Sequence, residues 1–130
     1  MADSRQPDVV LVTGRHMRRP DPEIHLLVAA LEQQSVDVVI APWDDATAWA
    51  SVPLVVVRSP WDYTDAHEEF LSWVRSVAAV TQLVNPPDVL EWNSHKSYLL
   101  DLASVGVSTV ATTLVHRGAS VAEQAHARAI

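Results

Sequence analysis

The segment 58–63, RSPWDY, combines residue types that can bind a small molecule. Arg58 follows an apolar run, and a guanidinium can hold a carboxylate or a phosphate through paired hydrogen bonds. Asp62 can accept a hydrogen bond from an amine, and aromatic side chains can wall a small cavity. A purely structural role is the alternative, in which Arg58 pairs with Asp62 and fastens the turn. The candidate substrate-binding residues are therefore Arg58, Trp61, Asp62 and Tyr63.

Lys96 is the only lysine of the chain, and it follows Asn93 by three residues. The pattern predicts a helix from about Ser94 to Val105, with Lys96 in its first turn. A lysine there is disfavoured by roughly 0.3–1 kcal/mol, because it meets the positive end of the helix dipole. The same turn offers free backbone N–H groups, which attract anions. Lys96 is therefore a candidate anion ligand, unless its side chain simply extends into water.

Asp44 and Asp45 follow a second apolar run in the same manner. Either carboxylate could bind a polar group of a ligand. Aspartate after a strand more often accepts hydrogen bonds from the backbone of a turn. We therefore favour a turn at this position.

Strands must position these side chains. Four short apolar runs in the sequence predict such strands. Helical spacing of apolar residues separates the runs, and Asp21 followed by Pro22 is typical of a helix start. A further extended segment is predicted at 108–115, after a helix that stops at Gly106. The predicted strands are 8–13, 36–42, 54–59 and 82–85, and the residues expected to be buried are Val10, Val12, Val38, Ile40, Val55 and Val57.

Alternation of strands and helices predicts an α/β fold, with a Rossmann-like parallel sheet of about four to five strands and helices on both faces. In such sheets, ligands bind at the carboxyl ends of the strands. The segments after the predicted strands, including 58–63, meet at that edge. The predicted fold therefore brings the candidate residues to one side of the sheet.

Composition excludes several classes of protein. The chain has 130 residues, 48% of them apolar, which is enough for a folded domain with a core. A net charge of -7 argues against a nucleic-acid partner, and no apolar run is long enough for a membrane span. Three glycines cannot build a dinucleotide or Walker loop, and the six histidines lack the spacing of a metal site. We expect a cytoplasmic protein, and we predict no metal ligand and no catalytic residue in this chain.

Three segments resemble a known family. They are VVVRSPWDY (55–63), EEFLSWV (68–74) and LVNPPDVLEWNSHKSYLLDLASVGVSTVATTLV (83–115). In this order they are similar to the N-terminal part of ATP-grasp ligases, in the glutathione-synthetase-like and cycloserine-synthetase-like branch. That part, the pre-ATP-grasp domain, ends in an Asn-x-x-Lys helix, which Asn93 and Lys96 match. Ser108 stands where the family commonly has proline.

The resemblance implies a function for each part. It implies that Lys96 contacts an ATP phosphate, and that ATP and Mg²⁺ are the cofactors, with the Mg²⁺ ligands lying outside this chain. It also implies a reaction in which ATP phosphorylates a carboxylate and a nucleophile then attacks. The implied partners are an amino-acid-like acceptor substrate and the missing ATP-grasp domain.

The predicted organisation is an N-terminal tail at 1–7, a pre-ATP-grasp domain at 8–118, and the start of a following element at 119–130. The chain is then a fragment, a truncated reading frame or half of a split enzyme, and alone it is expected to be inactive. An apolar surface left uncovered by a missing half would favour a homo-oligomer. The alternative function is a non-enzymatic Rossmann-like module for binding or assembly.

Overall fold

The protein is described here by a computed structural model, which covers residues 6–116 and 118–122. Within these residues, four parallel strands form one sheet in the order β2-β1-β3-β4. The strands are β1 Val9–Thr13, β2 Val38–Pro42, β3 Leu54–Ser59 and β4 Gln82–Val84. The helices are α1 Ile24–Glu32, α2 His67–Ala78, α3 Pro87–Asn93 and α4 Tyr98–Ser104, with 3-10 turns at Trp49–Ser51 and Trp61–Asp65. The predicted fold class is confirmed.

The sheet buries both of its faces, because successive side chains of a strand point to opposite sides. Val10 and Val12 of β1 pack in one apolar cluster with Phe70 of α2. Val9 and Leu11 pack in a second cluster with residues of α1. The two helices therefore cover opposite faces of the sheet.

The predicted core is confirmed for half of the named residues. Val10, Val12 and Val55 are buried, as expected for the two central strands. The other three, Val38, Ile40 and Val57, are only half-buried. For β2 the reason is its place at the edge of the sheet, where one side lacks a neighbouring strand.

A β-bulge interrupts the pairing of β1 with β3. Val12 is opposite Val57, whereas Thr13 is opposite Ser59, so Arg58 is the extra residue on β3. A bulge bends its strand and redirects the side chain of the extra residue. Arg58 accordingly points to the start of α1, where it meets Asp21.

The bounds of two predicted helices are wrong, and one predicted extended segment does not join the sheet. Helix α1 begins at Ile24 and not at Pro22, because the Asp21 carboxylate forms a turn with the Glu23 N–H. The segment 108–115 pairs with no strand in the described part of the chain and is not a fifth strand. The predicted helix 94–105 is shorter, since α3 ends at Asn93 and α4 starts at Tyr98.

The break between α3 and α4 has a local cause. The Ser94 hydroxyl donates to the Glu91 carbonyl at 2.9 Å, and the Ser97 N–H donates to His95 Nδ1 at 3.3 Å. Side chains that bind nearby backbone groups compete with the helical hydrogen bonds. The end of α4 agrees with the prediction, because Gly106 has a φ of 85° and stops the helix.

The chain divides into two compact units, Met1–Leu90 and Glu91–Ile130. The first contains the sheet with α1 and α2, and the second contains α4 and the segment that follows it. None of the helices in the described residues is long and apolar enough to cross a bilayer. The domain boundaries predicted at residues 7 and 118 stay a prediction.

Candidate functional site

A cleft of about 470 Å³ lies in the first unit, beside the loops that follow β1 and β3. Ligands of parallel α/β sheets bind at this end of the strands. The loop after β1 forms one side, and the 3-10 turn after β3 forms the other. The residues that line the cleft are His16, Met17, Arg18, Arg19, Trp61, Asp62, Thr64 and Asp65.

Asp62 joins the two sides of the cleft. Its Oδ2 accepts a hydrogen bond from the His16 N–H at 2.8 Å, and its Oδ1 accepts one from Trp43 Nε1 at 3.1 Å. Each carboxylate oxygen thus has a donor from the protein itself. The alternative in which Arg58 pairs with Asp62 is wrong, because Asp62 binds the loop after β1 and the residue after β2.

Gly14 makes this close approach possible. A Cβ atom at position 14 would overlap the carboxylate of Asp62, and the residue is buried. Only glycine leaves enough space for the carboxylate at this point of the loop. Asp62 therefore packs against Gly14 and binds Trp43 at the wall of the cleft.

Arg58 is occupied by two acidic residues and does not line the cleft. Its Nε lies 3.1 Å from Asp21 Oδ2, and its Nη2 lies 3.4 Å from Glu23 Oε2. The Asp21 side chain is only 3% exposed, so its charge is compensated mainly by this arginine. Arg58 fastens β3 to the start of α1.

The two aromatic candidates differ in position. Trp61 lines the cleft and is 51% exposed. Tyr63 instead packs against Phe70 at a ring-centroid distance of 5.1 Å, in the apolar cluster under α2. The structure thus places Trp61 and Asp62 at the cleft and Arg58 and Tyr63 away from it.

Arg15 and the aspartates after β2 form a separate surface cluster. Arg15 Nη2 lies 3.1 Å from Asp45 Oδ1, and its Nε lies 3.3 Å from both oxygens of Asp44. The hydrogen bond with Asp45, followed by those with Asp44, raises the pKa of Arg15 above its ordinary value. Asp45 also accepts from the Ala46 N–H, so these residues build a turn, as the sequence favoured.

Lys96 lies in the second unit, in the turn before α4. It is exposed, and its Nζ is 5.6 Å from the centre of the Tyr98 ring, within the range of a cation–π contact. The expectation that it sits inside the first turn of a helix is wrong, because Ser97 is the N-cap of α4. The cost that the helix dipole was expected to impose on Lys96 is reduced accordingly.

Six cleft residues are not among the candidates from the sequence: His16, Met17, Arg18, Arg19, Thr64 and Asp65. The stretch GRHMRR (14–19) is locally basic and follows the first predicted strand, so the sequence places it at the ligand-binding edge of the sheet without singling out any of its residues. In the described residues, Arg18 and Arg19 make no ion pair and no side-chain hydrogen bond, unlike Arg15 and Arg58. No group of three or more His, Asp or Glu side chains in the described part could hold a metal ion.

Comparison with known proteins gives three agreeing results. The family model for the N-terminal domain of D-cycloserine synthetase DcsG matches residues 9–85, which include all cleft residues but not Lys96. Cycloserine biosynthesis protein DcsG from Streptomyces lavendulae is 33% identical over 111 residues, 85% of this chain and 37% of that protein. The crystal structure of D-cycloserine synthetase DcsG matches with a TM-score of 0.78 and 32% identity, over 93% of this chain and 42% of that chain. The chain thus spans well under half the length of these relatives.

Proposed function

Because this chain belongs to the family of the N-terminal domain of D-cycloserine synthetase DcsG, we propose that it serves as the pre-ATP-grasp domain of a cycloserine-synthetase-like ligase. The family and branch inferred from the sequence are confirmed. The observation that carries the proposal is the 33% identity over 111 residues with the Streptomyces lavendulae protein. The remaining catalytic part of such a ligase lies outside the region matched by this chain.

In this proposal the cleft binds the small-molecule acceptor substrate, which is amino-acid-like. Trp61 forms an exposed wall of the cleft, and Asp62 fixes the loop opposite it. Arg58 and Tyr63 contribute indirectly, since Arg58 fastens β3 to α1 and Tyr63 supports the cleft from the core. The location is cytoplasmic, and the uncovered surfaces favour self-association.

Lys96 is the proposed contact for an ATP phosphate. Its side chain is exposed, and its contact with the Tyr98 ring is weak enough to be exchanged for a phosphate oxygen. In this proposal the Mg²⁺ ligands lie in another part of the protein, in keeping with the lack of any group of three or more metal-binding side chains among the described residues. The chain alone is therefore expected not to hydrolyse ATP.

A hybrid protein tests this function directly. This chain would replace the matching N-terminal region of the Streptomyces lavendulae protein, and ATP consumption coupled to cycloserine formation would be measured. We expect an active hybrid, and we expect the isolated chain to show no magnesium-dependent ATPase activity.

The variant Lys96→Ala in the hybrid tests the proposed phosphate contact. Loss of one charged hydrogen bond should raise the KM for ATP roughly tenfold. Arg75→Ala, which removes a cation on α2, serves as the matched control for general electrostatics. A folded hybrid that forms no cycloserine would refute the proposed function and favour the non-enzymatic binding module. An unchanged KM for ATP in Lys96→Ala would refute only the proposed phosphate contact of Lys96.

A further inference from the structure

The loop after β1 carries arginines of two kinds. Arg15 is held by Asp44 and Asp45, whereas Arg18 and Arg19 line the cleft and pair with no acidic group among the described residues. Arg18 and Arg19 are both exposed residues. Two such side chains at one cleft supply up to ten N–H donors in planar forks, which match the oxygens of a carboxylate or a phosphate.

In the described residues, the acidic groups that line the cleft form no ion pair with Arg18 or Arg19. Both oxygens of Asp62 accept hydrogen bonds, from the His16 N–H and from Trp43 Nε1, so that carboxylate is already compensated in part. Asp65 remains as a second carboxylate at the cleft. Formally the two guanidinium groups and the two carboxylates balance, so the cleft is not positive overall, but the guanidinium groups stay available to a ligand.

The loop that carries the arginines is also held in place. Its backbone is tied to Asp62 through His16, and Gly14 packs directly on the same carboxylate. A preorganised loop spends less free energy on ordering when a ligand binds. Trp61 offers an apolar face opposite the arginines for the uncharged part of a ligand.

We infer that Arg18 and Arg19 form an anion-recognition site in this cleft, which binds a carboxylate or a phosphate group of a small ligand whose apolar part lies on Trp61. The inference deepens the proposed function, because it names the residues and the ligand group for the same cleft. It does not need the catalytic part of the ligase, since every residue involved lies in the first unit.

The test is a titration of the purified full chain at constant ionic strength, followed by the NMR signal of the Trp61 indole N–H. That signal is assigned with Trp61→Phe, because the chain has five tryptophans. The probes are inorganic phosphate and propionate, with chloride as the reference anion. A shift with either probe supports the site and identifies which anion it takes, and no shift with either at 100-fold excess over protein overturns it.

Variants assign the binding to named residues. Arg18→Met and Arg19→Met should each weaken binding roughly tenfold, the loss of a charged hydrogen bond. Asp65→Asn should strengthen it severalfold, because it removes the competing carboxylate. Arg15→Met is the matched control, an arginine of the same loop outside the cleft, and should leave the dissociation constant within about twofold.

Opposite results would be decisive. An equal loss of anion affinity in Arg15→Met would mean that binding depends only on the overall charge of the loop. Unchanged affinity in both Arg18→Met and Arg19→Met would show that neither arginine belongs to the site. Asp65→Asn keeps the inference testable even if an arginine variant unfolds. Failure of this titration leaves the hybrid assay untouched, so the two proposals can fail separately.

Discussion

The two units of the chain use similar side chains in opposite ways. In the unit Met1–Leu90, the valines of β1 and β3 are enclosed by neighbouring strands and by a helix on each face. In the unit Glu91–Ile130, several valines face solvent, with Val105 and Val110 exposed by 75% and 72%. Both units are therefore rich in apolar residues, but these residues are buried mainly in the first unit.

The difference follows from the backbone. Each central strand of the first unit has two neighbours, so its N–H and C=O groups are paired and its side chains are covered. The segment 107–116 has no strand partner among the described residues. An apolar segment is buried only where the topology supplies a partner for it.

Hydrogen exchange should show the largest contrast. We expect the amides of Val10 and Val55 to exchange at least about 1,000-fold more slowly than those of Val110 and Val115, because the former open only with global unfolding. The measurement is exchange followed by NMR. Equal protection in both units would show that the segment 107–116 is paired in solution.

Truncation of one side chain in each unit should give the next largest effect. Leu11→Ala removes a side chain that is 1% exposed and should lower the free energy of unfolding by about 2–5 kcal/mol. Val110→Ala should change it by less than about 0.5 kcal/mol. Both values come from urea unfolding. A large loss in Val110→Ala would mean that the second unit has a core of its own.

Gly14→Ala tests the packing beneath the cleft. Its Cβ would overlap the Asp62 carboxylate, so we expect a loss of about 1–3 kcal/mol in the free energy of unfolding. The double variant with Asp62→Ala should lose at least about 1 kcal/mol less than the sum of the single variants, since the clash is removed. If the two losses in the free energy of unfolding were strictly additive, Gly14 and the Asp62 carboxylate could not be in close contact.

Arg58→Met should give the smallest of these effects. Asp21 would lose its cation inside the protein, but Arg58 is about one-third exposed, so water screens part of the change. We expect a loss of about 1–2 kcal/mol, less than for a fully buried pair. Glu23→Gln is the control, because Glu23 is exposed and should matter by under about 0.5 kcal/mol. A neutral Arg58→Met would leave Arg58 available as a ligand.

Sequence reasoning succeeded where the signal is local. The four strands lie within two residues of their predicted bounds. Helical spacing predicts one apolar face of α2 from Phe70, Trp73, Val74 and Val77, and all of them are buried except Trp73, which is partly buried. It failed at the end of α3, where Ser94 and its neighbours satisfy backbone groups with side chains. The competition between such bonds and the helix depends on geometry that residue spacing does not contain.

The candidate site shows the same division. The sequence placed functional residues after the predicted strands, and the cleft does contain Trp61 and Asp62. It did not identify Arg18 or Arg19, because a basic stretch of six residues does not reveal which of its arginines already has an acidic partner. That partner, Asp44 or Asp45 for Arg15, lies about 30 residues away in the chain.

The sequence by itself determined the alternation of strands and helices, the parallel sheet and the likeness to a ligase domain, because periodicity and motif residues act over short distances. Only the tertiary structure decided that Arg58 meets Asp21, that Asp62 binds the loop beside Gly14, and that Arg18 and Arg19 face the cleft. These pairings join residues tens of positions apart, and one extra residue at the bulge redirects Arg58. Charge and hydrogen bonding depend on distance in space, which the order of the residues does not specify until the chain is folded.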